Sequence, residues 1–321
     1  MTPNMATEPL TWTMVGLAWQ LDIAGVLGAV VLGAGYGVAL SRARSHRSDI
    51  RGVWVGCYVA GLACWVLACM SFVGVYAPIL FWVRALQVVL LLLVVPFFLT
   101  LGRPVTVLRG ALEPATKERF DQALSSTPAR ILTHPLTTSV AMLATPWLLY
   151  LSPWYTASLS NGTLAAVTRM LLVLIGFAYF YARLQVDPVP RKYPQLISLL
   201  ISVAETIGDG VLGLVLWQGP LLASAYYLAL HRSWGPDQRT DQTIGAGVLW
   251  ILGDVLGLPF LLLLMRALSA DDKAHAAQID AELDRVDRSS SLKRADPTED
   301  PAPSTLWWEN DPQLRDRFGQ R

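Results

Sequence analysis

The chain predicts an all-α polytopic membrane protein, a bundle of about seven transmembrane helices. Three observations carry that prediction. Charged residues make up only 15% of the 321 and apolar residues 53%, where soluble domains carry about 25% charged. Mean hydropathy is +0.43. The apolar residues fall in long runs, each close to the roughly 20 residues that cross about 30 Å of hydrocarbon. Backbone groups in lipid must be satisfied within the segment, so runs of this kind form helices rather than open strands. Such a composition excludes a soluble enzyme and a nucleic-acid-binding protein. Cys57, Cys64 and Cys69 lie in one apolar run, which is no disulfide framework.

Residues 1–13 read as a short extracytoplasmic segment. The first span, 14–40, has no Lys or Arg before it and is too long for a cleavable leader. Further spans follow at 52–73, 79–101, 131–151, 164–184, 195–218 and 243–268, so that 14–268 forms the transmembrane domain. Loop charge sets the topology. Arg42, Arg44, Arg47 and Arg51 fill the first loop, Arg103, Arg109, Lys117, Arg119 and Arg130 the third, and Arg183, Arg191 and Lys192 the fifth. The loops near 74–78 and 152–163 carry no Lys or Arg. Positive-inside bias therefore places the N-terminus outside and the C-terminal tail in the cytoplasm. Trp12, Trp19, Trp147, Trp154, Trp217 and Trp234 gather near the outer ends, as an interfacial belt would.

The tail is acidic. From Asp271 onward it holds 12 of the 24 carboxylates and 8 of the 25 basic residues, a net of −4 that leaves the rest at +5. Residues 269–288 read as a cytoplasmic helix with a narrow apolar stripe, Ala276, Ile279, Leu283 and Val286. Residues 289–321 read as a flexible acidic tail, and its adjacent Trp307 and Trp308 as a partner-docking motif.

Ionisable groups inside spans cost about 2.5–3.5 kcal/mol each at a helix centre, so each asks for a reason. Here they are Asp22, Arg84, Arg169, Glu205, Asp209 and Asp254, with Gln87 beside Arg84. Most fall in the outer half or near the midplane, with Glu205 a turn deeper than Asp209. Two cations facing four carboxylates suggest one interhelical cluster of ion pairs around an outward-open cavity. Metal ligation has weak support from residue type. Of the four histidines only His134 adjoins a span, and the soft donors Cys57, Cys64, Cys69 and Met70 are weak candidates for Cu(I). No cofactor is expected.

The order of several short motifs carries more. Leu101-Gly102-Arg103-Pro104 follows the third span and Leu132-Thr133-His134-Pro135 opens the fourth. Ser152-Pro153-Trp154-Tyr155 stands in the outer loop and Asp187-Pro188-Val189-Pro190-Arg191 in the inner one. Asp241-Gln242 with Gly245, Gly247 and Trp250 opens the last span. In this order the chain resembles the CtaG family of multi-span cytochrome c oxidase assembly factors, in its Gram-positive version, from about 52 to 268. The resemblance implies a bacterial plasma-membrane protein that contacts the lipid bilayer and an oxidase subunit or another assembly factor.

The departures are as informative. Where the family carries His-x-x-Gln-His in the third span, this chain reads Arg84-Ala85-Leu86-Gln87-Val88. The family's outer-loop His is Ser152; its fifth-span pair falls on about Ala165 and Arg169, and its sixth-span His near Asp209. The resemblance thus implies a member that lacks the outward-side histidines, with ion pairing in place of ligation. The expected function is a non-enzymatic accessory factor in assembly of a haem–copper oxidase, without a copper site of its own. The alternative is a small transporter or ion-permeation protein built on the same intramembrane charges.

Overall fold

The computed structural model describes residues 8–46, 49–188 and 195–294, and every regular element among them is helical. The chain divides into two compact units, Met1–Leu268 and Ser269–Arg321. Among the described residues, six helices are long and apolar enough to cross a membrane: Ile23–Ser45, Gly52–Tyr76, Phe81–Leu101, Gly162–Leu184, Leu200–Gln218 and Gln238–Leu263. The expected span at 131–151 is a shorter apolar helix, Pro135–Leu151. It is shortened because His134 and Pro135 begin a new helix, separate from the one that ends at Leu132.

In chain order, α1 is Trp12–Leu17 and α2 Ile23–Ser45. The expected first span at 14–40 is therefore broken and displaced. Asp22 stands between the two helices as the N-cap of α2, its carboxylate accepting from the Gly25 amide at 2.9 Å. At the other end of α2, Arg42 and Arg44 lie in the last turn, where cations suit the helix dipole. Next come α3 (Gly52–Met70), α4 (Phe72–Tyr76), α5 (Phe81–Val89) and α6 (Val95–Leu101). Three short helices follow at the end of the bundle that carries the basic loops: α7 (Pro104–Ala111), α8 (Pro114–Leu124) and α9 (Thr127–Leu132). Then come α10 (Pro135–Leu151), α11 (Trp154–Ser160), α12 (Gly162–Leu184) and α13 (Gln195–Gln218). α14 (Ser224–Ala229), α15 (Gln238–Gly247) and α16 (Gly253–Arg294) complete the set. α16 runs through residue 268 without interruption. Ile279 and Leu283, on its apolar stripe, are exposed. Residues 295–321, with Trp307 and Trp308, lie outside the described residues.

Lipid tails are as apolar as Leu, so close packing and hydrogen bonds hold such a bundle more than water exclusion does. One contact shows how. Pro96 has no amide to give the Leu92 carbonyl, and the helix between α5 and α6 widens into a π-turn at Leu90–Val94. Gly176 of α12 lies against the Leu92 carbonyl, and a Cβ there would stand 2.1 Å from that oxygen. Trp65, Leu91, Leu149 and Leu172 are completely buried around this centre. Nearby, Tyr36 of α2 and Tyr58 of α3 stack with ring centroids 3.7 Å apart. Their hydroxyls donate to the carbonyls of Gly102 and Leu32.

Candidate functional site

The charged groups inside the bundle do not join in the one ion-pair network expected of them; among the described residues their hydrogen bonds and ion pairs fall into three separate sets. Arg84 is buried near the start of α5. One of its terminal nitrogens donates to Gln87 Oε1 at 2.7 Å and the other to Ser158 Oγ of α11 at 3.2 Å. Gln87 in turn donates to the Ala68 carbonyl. Among the described residues no carboxylate lies within 4.0 Å of the Arg84 guanidinium. Near Arg84, the Tyr155 and Tyr227 hydroxyls meet at 2.7 Å. Burial pushes both phenols above the ordinary range, so they remain neutral.

Asp22 and Arg169 form a pair at 2.7 Å, joining the first turn of α2 to α12. Both side chains are largely covered. Asp22 therefore lies at a helix end rather than inside a span, which lowers the cost of its charge.

The third place holds Glu205, Asp209 and Asp254. Glu205 accepts from Arg183 at 3.1 Å and from the Tyr179 hydroxyl at 2.7 Å. Arg183 was expected in a basic loop. α12 ends at Leu184, as the expected span does, but it turns Arg183 inward, fully buried, where it also reaches Ser139 and Ser202. The signal in the sequence was Glu205 itself, a carboxylate inside a span with no cation assigned to it. Asp209 and Asp254 line the same cavity as Glu205, of about 300 Å³, between α10, α12, α13 and α16. Neither pairs with Arg84, which is held elsewhere.

The motif residues act mainly as joints. Asp241 of α15 is buried and accepts from the Phe81 and Trp82 amides at 3.1 and 3.0 Å, capping α5 from another part of the chain. Arg232 stands 3.4 Å from the same carboxylate. Gln242 accepts from the Leu222 amide and donates to the Leu216 and Pro220 carbonyls, tying down the end of α13. A Cβ at Gly245 would fall 2.3 Å from the Phe81 ring, whereas Gly247 faces open space. The Trp250 indole covers Gly210 and Gly213 of α13.

At the basic end Asp187 does for α7 what Asp241 does for α5. It accepts from the Val105 and Thr106 amides at 3.2 and 3.0 Å and from the Thr106 hydroxyl. Burial pushes its carboxyl above the ordinary carboxylate range, and the Thr106 and Val105 hydrogen bonds pull against that. The Pro188 carbonyl accepts from the Tyr181 hydroxyl. Arg103, in the left-handed region at φ 49°, lays its guanidinium over the Trp54 ring. His134 is the N-cap of α10, its Nδ1 accepting from the Leu136 amide, with Pro135 in the first turn.

Among the described residues no three His, Cys, Asp or Glu converge in a way that could hold a metal ion. Cys69 is buried against the start of α2, while Cys57, Cys64 and Met70 are half-buried on α3.

The sequence matches the family model described as cytochrome c oxidase caa3 assembly factor (Caa3_CtaG) over residues 34–271. It is also similar to uncharacterized proteins of Mycobacterium bovis and Mycobacterium tuberculosis, each 24% identical over 287 residues, covering 86% of this chain and 43% of the relative. An uncharacterized protein of Mycobacterium leprae is 24% identical over 281 residues, 83% of this chain and 42% of its own length. The chain thus spans less than half the length of the relatives it matches. No solved structure matches it.

Proposed function

The chain belongs to the cytochrome c oxidase caa3 assembly factor family, and from that premise we propose that it serves oxidase assembly as a non-enzymatic accessory factor without a copper site of its own. It works in the bacterial plasma membrane, with the basic end of the bundle toward the cytoplasm, and its partner is an oxidase subunit or another assembly factor. The observation that carries the metal-free reading is the seat of Arg84. Where the family's histidines are expected, a guanidinium bonds to Gln87 and Ser158. A guanidinium stays protonated and offers no lone pair, so it cannot ligate. Arg169, at another such seat, is taken by Asp22. The remaining seats, Ser152, Ala165 and Asp209, offer a hydroxyl, a methyl and one carboxylate, and these do not fit a soft Cu(I) ion.

Deleting the gene is expected to lower the amount of assembled oxidase and its copper-centre signal together. Unchanged oxidase content in the deletion strain refutes the assembly role. Metal analysis of the purified protein after exposure to Cu(I) addresses the other half: less than one-tenth of a copper per chain is expected, and stoichiometric copper overturns the metal-free reading.

A further inference from the structure

We propose that the groove between α10, α12, α13 and α16 receives a transmembrane helix of a partner protein, whose Lys or Arg side chain enters between Asp209 and Asp254. The inference rests on the reading of this chain as an assembly factor and gives that factor's membrane partner a chemistry.

Four observations lead there. First, the cavity of about 300 Å³ is walled mostly by apolar groups such as Leu93, Met142 and Phe260, with three carboxylates set among them. Asp209 also lines an adjoining cavity of about 50 Å³ that shares Leu93, Met142 and Gly253. Second, the charges do not balance. Glu205 is held by Arg183 and Tyr179. Arg183 spends both terminal nitrogens on Ser139, Tyr179, Ser202 and Glu205, and its Nε, buried without a partner, makes no contact with Asp209. Among the described residues, none within 4.0 Å brings a cation to Asp209 or Asp254. Intramembrane carboxylates left this way are costly, and a cation from outside removes the cost.

Third, the groove opens sideways. Val203 and Ile207 on α13, and Val255, Leu258 and Leu262 on α16, are all more than half exposed. A partner helix can therefore lie along these two helices with one side chain inserted. The cavity sits at the lower bound of ligand-site volumes, which suits a long side chain and not a whole helix. Lys and Arg also present an apolar stem to an apolar wall and a charge at the tip. Fourth, the carboxylates do not converge as metal ligands do among the described residues, so a bare divalent ion is a poor occupant and a reaching side chain a good one.

The test places a photo-crosslinking amino acid at Leu258 in the full chain, in native membranes, with Val59 on α3 as the control position. The adduct at Leu258 is expected to map to a partner's spanning segment, within about one helical turn of a Lys or Arg. Replacing both carboxylates, Asp209→Asn with Asp254→Asn, should lower adduct yield at least tenfold. Changing Asp209 to Lys should abolish the adduct, and an acidic residue at the partner's basic position should restore it. Asn keeps the shape of Asp; should the double variant fail to accumulate, Asp254→Asn alone is read instead. An undiminished yield in the neutral variants, an adduct without a nearby basic residue, or labelling of lipid or a second copy only overturns the proposal. So does a cation flux in liposomes that the double variant abolishes. The deletion strain keeps the two readings apart. A normal oxidase level beside a rescued cross-link sinks the assembly role alone, and a lowered level without charge dependence at Leu258 sinks the groove alone.

Discussion

Asp241 at the aromatic end of the bundle and Asp187 at the basic end each hold the first amides of a helix from a distant stretch of chain, yet they keep different company. Asp241 takes the amides of Phe81 and Trp82 and has Arg232 at 3.4 Å. Asp187 takes the amides of Val105 and Thr106, and its extra partner is the Thr106 hydroxyl. Both satisfy donors that a helix start leaves orphaned, and both place a negative charge at the positive end of a helix dipole. The difference is in what balances the carboxylate. A nearly buried guanidinium in contact does so at one end; at the other, among the described residues, the contacts are neutral donors and Arg103 acts only from beyond ion-pair distance. The same joint can therefore be built with a counter-ion in contact or with one only at a distance, and its cost on removal should differ accordingly.

Asp241→Asn should have the largest effect. The amide nitrogen would face a backbone donor, leaving one buried N–H without an acceptor, at about 1–3 kcal/mol. Arg232 would also lose its carboxylate. Breaking a buried pair costs about 3–5 kcal/mol, and Arg232 keeps the Pro236 carbonyl, so the lower part of that range applies. Thermal unfolding in detergent should show a large fall in midpoint, and Asp241→Asn combined with Arg232→Met should recover part of it. No recovery would mean that Arg232 is not the balancing charge.

Asp187→Asn should come second, at about 1–3 kcal/mol, because only the amide geometry is lost. Thr106→Val, which removes a single hydroxyl donor, should cost about 1 kcal/mol. If Asp187→Asn proves more damaging than Asp241→Asn, the ranking by counter-ion is wrong. Gly245→Ala sharpens the comparison from the other side. It leaves every hydrogen bond of Asp241 in place but forces a methyl into the Phe81 ring. Overpacking of this kind costs about 1–3 kcal/mol, so its effect should fall near that of Asp187→Asn.

The motifs were legible in the sequence, but their roles were not. Asp241-Gln242 stood out by position, yet the amides it caps lie some 160 residues away, and nothing local to either stretch names the other. The spans were legible because a run of apolar residues long enough to cross hydrocarbon has few other uses. Asp22 misled because a carboxylate near a span's end reads alike whether the helix continues through it or begins on it; the cap bond to Gly25 decides. Arg183 misled for a related reason. Charge counting cannot tell a loop arginine from one in the last helical turn that faces inward, and the rotation of α12 sets the difference. The single cluster failed because charges at similar depth on different helices need not face one another. Depth follows from sequence position, whereas azimuth follows from packing.

The smallest effect is expected at the Arg109–Asp121 pair on the basic end, which tests whether exposure alone can erase such a joint. Arg109 of α7 meets Asp121 of α8 through two contacts of 2.7 Å, with both side chains partly open to solvent. The guanidinium holds the Asp121 carboxyl below the ordinary carboxylate range. A carboxyl lowered on folding adds stability above its unfolded pKa, near 3.9, and that contribution disappears as pH falls through the lowered folded value. Asp121→Asn should therefore shift the unfolding midpoint little at pH 7, less still in high salt, and not at all once the pH has fallen below the lowered folded value. An effect as large as that of Asp187→Asn, or one that persists unchanged in acid, would show that the exposed pair does more than hold two short helices side by side.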